Sequence, residues 1–242
     1  MEDKQAVREK VWELLERERA ARFPGARGRI PNFIGAEAAA RRLASTDEWA
    51  RSRVVKANPD SPQLPVRALA LAEGKVLYMA VPRLRTSKPF LLLDPKRLTN
   101  LRPRTAASIR GASALGRPVS ITDMPRVDLV ICGSVAVNTR GARVGKGGGF
   151  SDLEFALLTE AGLVDDETTV ATTVHPLQIL GERLPETEHD FRVDLIVTPE
   201  EIIRTHVGTR HPPRGIIWSH LDEAKIAKIP SLKAWPRPGE RS

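Results

Sequence analysis

Residues 127–160 read VDLVICGSVAVNTRGARVGKGGGFSDLEFALLTE, and this stretch decides the fold class. Its first part, 127–137, is largely apolar at both odd and even positions, which is typical of a strand covered on both faces of a parallel sheet. A short amphipathic helix is predicted over 152–163, with Gly162 near its end. Between them, residues 143–152 contain four glycines, an arginine, a lysine and an aspartate. We therefore expect a strand, an anion-binding loop and a helix in succession.

Further strands and helices flank this unit. Apolar residues at positions 7, 11, 14 and 15 recur at helical spacing and predict an opening amphipathic helix, which a second helical stretch follows over 35–52. The stretch 56–65 contains three prolines and is expected to be a loop that precedes the sheet. Other strands are expected at 66–72, 76–81, 168–174 and 192–198. This alternation predicts an open α/β sheet.

The length of 242 residues suits one large domain. We expect a single domain over 1–242, made of an N-terminal helical region at 1–60, an α/β core at 61–207 and a basic, proline-rich tail at 208–242.

The composition is basic, with 38 Lys and Arg residues against 30 Asp and Glu residues and an isoelectric point near 10.0. An anionic partner is therefore expected, whether nucleotide, nucleic acid or polyanionic coenzyme. The single cysteine, Cys132, lies in an apolar run, which excludes a disulfide framework and a thiolate zinc site. No apolar run approaches the ~20 residues of a spanning helix, and the N-terminus is charged. We expect a cytoplasmic protein without a membrane segment.

The glycine-rich loop is predicted to bind phosphate. Successive glycines permit positive φ, so that amide hydrogens can converge on phosphate oxygens while the following helix directs its N-terminus at them. Arg143 and Lys146 add charged donors. The spacing fits neither the Walker A loop nor the dinucleotide fingerprint Gly-x-Gly-x-x-Gly. The alternative is a flexible glycine-rich turn that binds nothing.

These residues resemble the nucleotide loop of the 5-formyltetrahydrofolate cyclo-ligases (methenyltetrahydrofolate synthetases), whose signature is approximately Arg-x-Gly-x-Gly-Gly-Gly-aromatic-aromatic-Asp. The matching positions here are Arg143, Gly145, Gly147, Gly148, Gly149, Phe150 and Asp152. The segment from Gln178 to Thr198 is similar to the family's closing segment, and Lys4 and Arg8 match its opening Lys-x-x-x-Arg pair. The N-terminal pattern is closer to the cyclo-ligase-like, methenyltetrahydrofolate synthetase domain-containing branch.

The resemblance implies a three-layer α/β/α sandwich with a mostly parallel sheet, similar to ribose-phosphate isomerases and coenzyme A transferases. It also implies a reaction that depends on ATP and Mg²⁺. The formyl oxygen of 5-formyltetrahydrofolate attacks the γ-phosphate, and N10 then displaces phosphate to give 5,10-methenyltetrahydrofolate and ADP.

The resemblance also assigns roles to the matched residues. Arg143 and Lys146 would be catalytic and neutralise developing charge. Asp152 would contact Mg²⁺, although an acid in a first helical turn is also favoured by the helix dipole alone. The nucleotide would be held by Lys4, Arg8, Gly145, Gly147, Gly148, Gly149 and Phe150. Without the resemblance, Lys4 and Arg8 are a solvated helix face.

The sequence departs from the family pattern on the folate side. Ser151 replaces the second aromatic, and its alternative role is a capping box with Glu154 at the helix start. His175 also replaces an aromatic, or serves as a structural hydrogen-bonding residue. With Gln178, these two residues form the expected substrate pocket. Asp60 is the one acid near the position of the family's pterin-recognising carboxylate.

Three functions remain open at this point. The first is a cyclo-ligase that acts on reduced folate. The second is a paralogue that binds a nucleotide or another anionic, phosphorylated metabolite, since relatives without cyclo-ligase activity are suspected of roles in thiamine metabolism. The third is RNA binding through the basic stretch 83–110, against which the few aromatics argue. His206, His211 and His220 lack metal-ligand spacing. A monomer or homodimer is expected.

Overall fold

The computed structural model describes residues 3–81, 84–98, 102–205 and 215–236. The strands of this part of the chain are β1 (Val54–Ala57), β2 (Val76–Ala80), β3 (Phe90–Leu93), β4 (Arg117–Val119), β5 (Leu129–Cys132), β6 (Ala136–Val137), β7 (Arg143–Val144), β8 (Thr169–Thr173), β9 (Leu195–Val197) and β10 (Ile202–Arg204). Its helices are α1 (Lys4–Arg17), α2 (Ala36–Ala44), α3 (Asp47–Arg51), α4 (Leu64–Ala72), α5 (Pro103–Ala106), α6 (Ile109–Leu115), α7 (Phe150–Glu160), α8 (Glu223–Lys228) and α9 (Pro230–Lys233).

Within these described ranges, eight strands form one sheet in the order β10-β9-β8-β5-β1-β2-β3-β4. The central pairs β9-β8, β8-β5, β5-β1 and β1-β2 are parallel, and the pairs towards both edges are antiparallel. In register, Val55 of β1 lies between Leu77 of β2 and Leu129 of β5. The expected α/β fold with a mostly parallel sheet is confirmed.

Both faces of the sheet are covered. Val130 and Cys132 of β5 face an apolar cluster that α7, α8 and α9 complete, whereas Leu129 and Ile131 face a second cluster that α2, α4 and α5 complete. All four residues of β5 are buried, as its two-sided apolar pattern predicts. The three-layer arrangement is therefore confirmed, and Cys132 is a buried free thiol.

The predicted strand at 66–72 is wrong, because these residues belong to helix α4. Alternating Ala and Leu residues fit either period over so short a run, and Pro65 occupies the first helical turn, where its missing N–H is harmless. The predicted loop at 56–65 is wrong at both ends, since β1 ends at Ala57 and lies centrally in the sheet, and α4 begins at Leu64. The expected second helix over 35–52 is two helices, because Thr46 caps the amide of Trp49 and starts α3.

The predicted continuous strand over 127–137 is also divided. The chain leaves the main sheet after Cys132, and Gly133 has no room for a side chain, since a Cβ there would lie 2.9 Å from Ile30 Cγ1. Strands β6 and β7 then form a separate antiparallel ribbon. The glycine-rich loop therefore follows this ribbon rather than the central strand.

Helix α1 covers the ribbon through Val7, Val11 and Leu15, which are buried with Val135 and Val144. The carboxylate of Asp3 caps this helix by accepting the amide hydrogens of residues 5 and 6 at 2.7 and 2.8 Å. This packing brings the N-terminal helix beside the glycine-rich loop.

The C-terminal segment 215–236 packs on the same face of the sheet as α7. Ile226, Ile229 and Leu232 are buried there. The predicted tail residues His206 and His211 lie outside the described residues. Within the described ranges, no helix is both long enough and apolar enough to cross a membrane.

Candidate nucleotide site

The glycine-rich loop, residues 145–149, connects β7 to α7. Gly147 and Gly149 have φ of +105° and +66°, a region that side chains other than hydrogen disfavour, and Gly149 is the N-cap of α7. Within the described part of the chain, the amides of Gly147, Gly148 and Gly149 donate to no protein acceptor. Because these amides lie at a helix N-terminus, the loop can accept an anion.

Helix α1 contributes a guanidinium to this loop. Arg8 Nε donates to the carbonyl oxygen of Gly145 at 2.7 Å, and Arg8 Cζ lies 3.4 Å from where a Cβ on Gly147 would be. Burial lowers the pKa of Arg8 from its ordinary value, and Asp3 and Asp190 oppose this effect. The sequence-predicted partner, Lys4, instead donates to Asp190 Oδ1 at 2.7 Å. Of the two basic residues in α1, Arg8 therefore contacts the glycine-rich loop, whereas Lys4 attaches the helix to Asp190.

Arg143 is buried beside the loop, with 3% of its surface exposed. Its Nη2 donates to Asp152, and its guanidinium carbon lies 3.8 Å from the ring centre of Phe191. Its Nε is buried without a hydrogen-bond partner among the described atoms. Burial alone would lower the pKa of Arg143, but Asp152, together with Cys132 and Asp190, outweighs it, so the net change is upward. A buried, charged donor is thus left available to a ligand.

Lys146 of the glycine-rich loop forms an ion pair with Asp60. Lys146 Nζ lies 2.7 Å from Asp60 Oδ1, and half of the lysine side chain is exposed. Asp60 follows β1, and its carboxylate also lies close to Gly133 after β5. The pair therefore connects the loop to the carboxyl ends of two central strands, where open α/β sheets bind ligands.

The expected capping box of Ser151 and Glu154 is wrong. Helix α7 begins at Phe150, so Ser151 lies inside its first turn, and Ser151 Oγ accepts a hydrogen bond from Asn58 Nδ2 at 3.1 Å. Glu154 pairs with Lys56 instead, at 2.6 Å. Since Lys56 also donates to Asn58 Oδ1 at 2.7 Å, four polar side chains join β1 to the first turns of α7.

The sequence reasoning missed this network. Burial raises the pKa of Glu154 from its ordinary value, and Lys56 opposes the shift. The strand VVKA, residues 54–57, does indicate a buried ion pair, because a lysine in a buried strand requires a charged partner. Nothing in the sequence indicated which acid that partner was.

Gln178 supports the crossing from the main sheet to the ribbon, and His175 caps the short turn that carries Gln178. His175 Nδ1 accepts the amide hydrogen of Leu177 at 3.2 Å, and burial lowers the pKa of His175. The Gln178 side chain accepts from the amide of His175 at 2.8 Å and donates to the carbonyl oxygen of Ser134 at 2.8 Å. Both side chains thus have structural partners, and their place in a substrate pocket stays a prediction.

A metal would find few protein ligands here. Among the residues with described positions, no three His, Cys, Asp or Glu side chains form a group that could hold a metal ion. Asp152 remains the predicted ligand, and its carboxylate is shared with Arg143. Mg²⁺ commonly binds one or two carboxylates together with substrate phosphates and water, so this donor set fits Mg²⁺ only when phosphate is present.

Comparison with known proteins supports the family resemblance of the sequence motif. Residues 1–199 match the sequence model of the 5-formyltetrahydrofolate cyclo-ligase family. The chain is 41% identical over 236 residues to the methenyltetrahydrofolate synthase domain-containing protein of Danio rerio, and 39% identical over 235 residues to that of Homo sapiens. These alignments include 96% of this chain and 61% of each relative, so the chain spans about three fifths of their length.

A solved structure supports the fold. The NMR structure of Aquifex aeolicus 5,10-methenyltetrahydrofolate synthetase superposes with a TM-score of 0.51 at 21% sequence identity, covering 84% of this chain and 91% of that one.

Proposed function

Because the chain belongs to the 5-formyltetrahydrofolate cyclo-ligase family, we propose that it binds Mg²⁺ and ATP at the glycine-rich loop and cyclises 5-formyltetrahydrofolate to 5,10-methenyltetrahydrofolate. One observation carries the proposal: among the described residues, the buried Nε of Arg143 has no acceptor, and it lies beside a loop whose amides at 147–149 have none either. Phosphate oxygens suit a guanidinium donor because its planar fork matches their geometry.

Each charged group of the site has a role in this proposal. The amides of residues 147–149 bind phosphate oxygens, while Arg8 and Arg143 balance their charge. Lys146 exchanges its exposed contact with Asp60 for a phosphate oxygen. ATP supplies the phosphoryl group that turns the formyl oxygen into a leaving group. The protein's contribution is then alignment and charge neutralisation, with little acid–base chemistry.

Asp152 is the residue that we assign to Mg²⁺. Its position in the first turn of α7 places a carboxylate next to the loop. Because Arg143 already donates to this carboxylate, Mg²⁺ would bind there mainly through phosphate oxygens and water.

A second candidate is a paralogue that binds ATP or another phosphorylated metabolite but does not cyclise folate. The substrate side favours it, since Ser151 replaces an aromatic and is held by Asn58. Asp60, the acid nearest the expected pterin position, is engaged by Lys146. A loss of folate turnover with retained nucleotide binding would identify this candidate.

RNA binding is the third candidate. The described cations of the basic stretch are exposed, namely Arg85, Lys88, Lys96, Arg97, Arg102, Arg104 and Arg110, whereas Arg83 lies outside the described residues. Arg104 pairs with Glu37, and the stretch includes a single aromatic, Phe90, which is buried. Because this exposed basic surface lacks aromatic residues on which bases could stack, its charges are better explained as solvated by water than as an RNA-binding site.

The test follows methenyltetrahydrofolate absorbance from 5-formyltetrahydrofolate with Mg²⁺ and ATP, and measures ATP binding by calorimetry. Lys146→Ala removes a site charge, and Lys96→Ala removes an exposed surface charge as the matched control. Lys146 suits this test better than Asp152, because loss of Asp152 would leave Arg143 buried without its partner.

We expect turnover in the parent and in Lys96→Ala, and its loss in Lys146→Ala. ATP binding without turnover in the parent would support the paralogue instead. An absence of both ATP binding and turnover would overturn the proposal, and RNA binding that weakens steeply with salt would then point to the third candidate.

A further inference from the structure

A cavity of about 70 Å³ lies between α7 and the C-terminal segment. One wall comes from the start of α7, through Gly149, Asp152, Leu153 and Ala156. The opposite wall comes from residues 215–221, which follow the part of the chain that matches the family. The cavity thus adjoins the candidate nucleotide site and has a wall that the family match does not include.

The C-terminal wall is firmly held against α7. A Cβ on Gly215 would meet the carboxylate of Glu160 in α7, so a larger residue at 215 would have to displace that side chain. The amide of Ile216 donates to the same carboxylate oxygen at 3.2 Å, and the Ile216 side chain is buried. Further along, α8 and α9 bury Ile226 and Leu232 in the cluster that includes α7. The cavity is therefore part of the packed structure.

The walls and the rim of the cavity differ in chemistry. The walls are mainly apolar, formed by Leu153 and Ala156 on one side and by Ile216, Ile217 and Leu221 on the other. At the rim, the exposed rings of His189 and His220 meet edge to face, with centroids 5.8 Å apart and planes at 80°. Apolar walls accept the faces of a flat ring, and imidazole nitrogens can donate to or accept from the ring's polar edge.

We propose that this cavity receives the edge of a planar nitrogen heterocycle of a ligand bound beside the glycine-rich loop, and that residues 215–221 form its specificity-determining wall. This inference rests on the proposed nucleotide site, because Gly149 and Asp152 belong to both. Two heterocycles share the required chemistry, the purine of ATP and the pteridine of the reduced folate.

The test uses a substitution that fills the cavity and leaves the residues of the glycine-rich loop unchanged. Ala156→Leu places a larger side chain in the cavity wall, and Ala38→Leu is the matched control, since Ala38 is a partly exposed helical alanine of α2 remote from the cavity lining. Binding of inorganic tripolyphosphate, ATP and 5-formyltetrahydrofolate is measured for both variants and for the parent. Tripolyphosphate probes the loop alone, and the other two ligands probe the two heterocycles.

We expect Ala156→Leu to leave tripolyphosphate binding unchanged and to weaken one heterocyclic ligand by about tenfold, as added or lost methylenes do in an apolar pocket. A loss confined to ATP places the purine in the cavity, and a loss confined to 5-formyltetrahydrofolate places the pteridine there. Replacement His220→Ala should weaken the same ligand.

Unchanged binding of both ligands by Ala156→Leu would overturn this inference while leaving the proposed function intact. If the parent binds neither tripolyphosphate nor ATP, the proposed nucleotide site is wrong, and the inference falls with it. Equally weakened binding of all three ligands would also contradict the inference, provided that circular dichroism shows the variant to be folded. The substitution would then have disturbed the loop itself.

Discussion

Lys56 Nζ lies 2.6 Å from Glu154 Oε2, and both side chains are almost completely shielded from solvent. The pair joins β1, in the centre of the sheet, to the second turn of α7. Removal of one partner leaves a buried charge without compensation, so we expect Glu154→Gln to lower the free energy of unfolding by about 3–5 kcal/mol. Urea unfolding followed by circular dichroism measures the loss.

The double variant Lys56→Met/Glu154→Leu serves as its control. Replacing both charges with apolar side chains should recover most of the lost stability, because desolvation of the ions is removed along with their attraction. If Glu154→Gln costs less than about 1 kcal/mol, the pair is not the buried tie between β1 and α7 that its geometry indicates.

Gly147→Ala should affect both stability and ligand binding. At φ of +105° a Cβ is strained, which costs on the order of 1–2 kcal/mol, and the new methyl group would also occupy the open loop beside Arg8. Gly74→Ala is the matched control, since Gly74 has φ of +77° and open space around its Cβ position. We expect both variants to be destabilised, and only Gly147→Ala to lose ATP affinity in calorimetry. Equal ATP affinity in the two variants would show that the loop does not bind phosphate.

Lys4→Met should raise the pKa of Asp190. Burial raises this pKa, but hydrogen bonds from Lys4 and Thr187 outweigh it, so the native value lies below the ordinary 3.8. In the variant, burial remains while the main opposing bond is gone. Carboxyl carbon shifts in a ¹³C NMR titration measure the change.

The same bond makes stability depend on pH in a defined direction. Because the folded pKa of Asp190 is depressed, its carboxylate stabilises the fold above the ordinary pKa of 3.8, and this contribution is lost as pH falls through the folded value. The difference in unfolding free energy between parent and Lys4→Met should therefore be present at neutral pH and shrink in acid. A difference that stays constant with pH would assign the effect of Lys4 to packing alone.

Cys132 should be inert to thiol reagents in the folded protein. Its side chain is fully buried, and burial raises its pKa, so that the reactive thiolate is both scarce and inaccessible. Added to the parent, Ser87→Cys places a second thiol at an exposed position. A chromogenic disulfide reagent should then label one thiol promptly and the second only with urea. Prompt labelling of both would contradict the burial of β5.

The elements that sequence reasoning found correctly are those with an unambiguous local pattern. Strand β5 is apolar on both faces, and the loop before α7 is dense in glycine, so each was visible without knowledge of its neighbours. Helix α4 was missed because a short run of Ala, Leu and Val fits either helix or strand, and only packing against α2 and α5 decides between them.

The types of residue in the site could be predicted from the sequence, but only some of the contacts between these residues could. The charge of Arg143 was visible in the sequence, but its burial against Phe191 was not. The partners Lys146 and Asp60 are 86 positions apart, and Lys56 and Glu154 are 98 apart. Such contacts depend on the topology of the whole sheet, which a local pattern does not contain.

The contacts of α1 have a consequence for the order of folding. Lys4 meets Asp190 across 186 positions of the chain, and Arg8 meets Gly145 across 137. Closing the long loops between these residues costs more chain entropy than forming the β6-β7 ribbon, so we expect these contacts to form after that ribbon. Attachment of the first helix would then be a late step, and a chain in which this helix is detached would have no assembled nucleotide site.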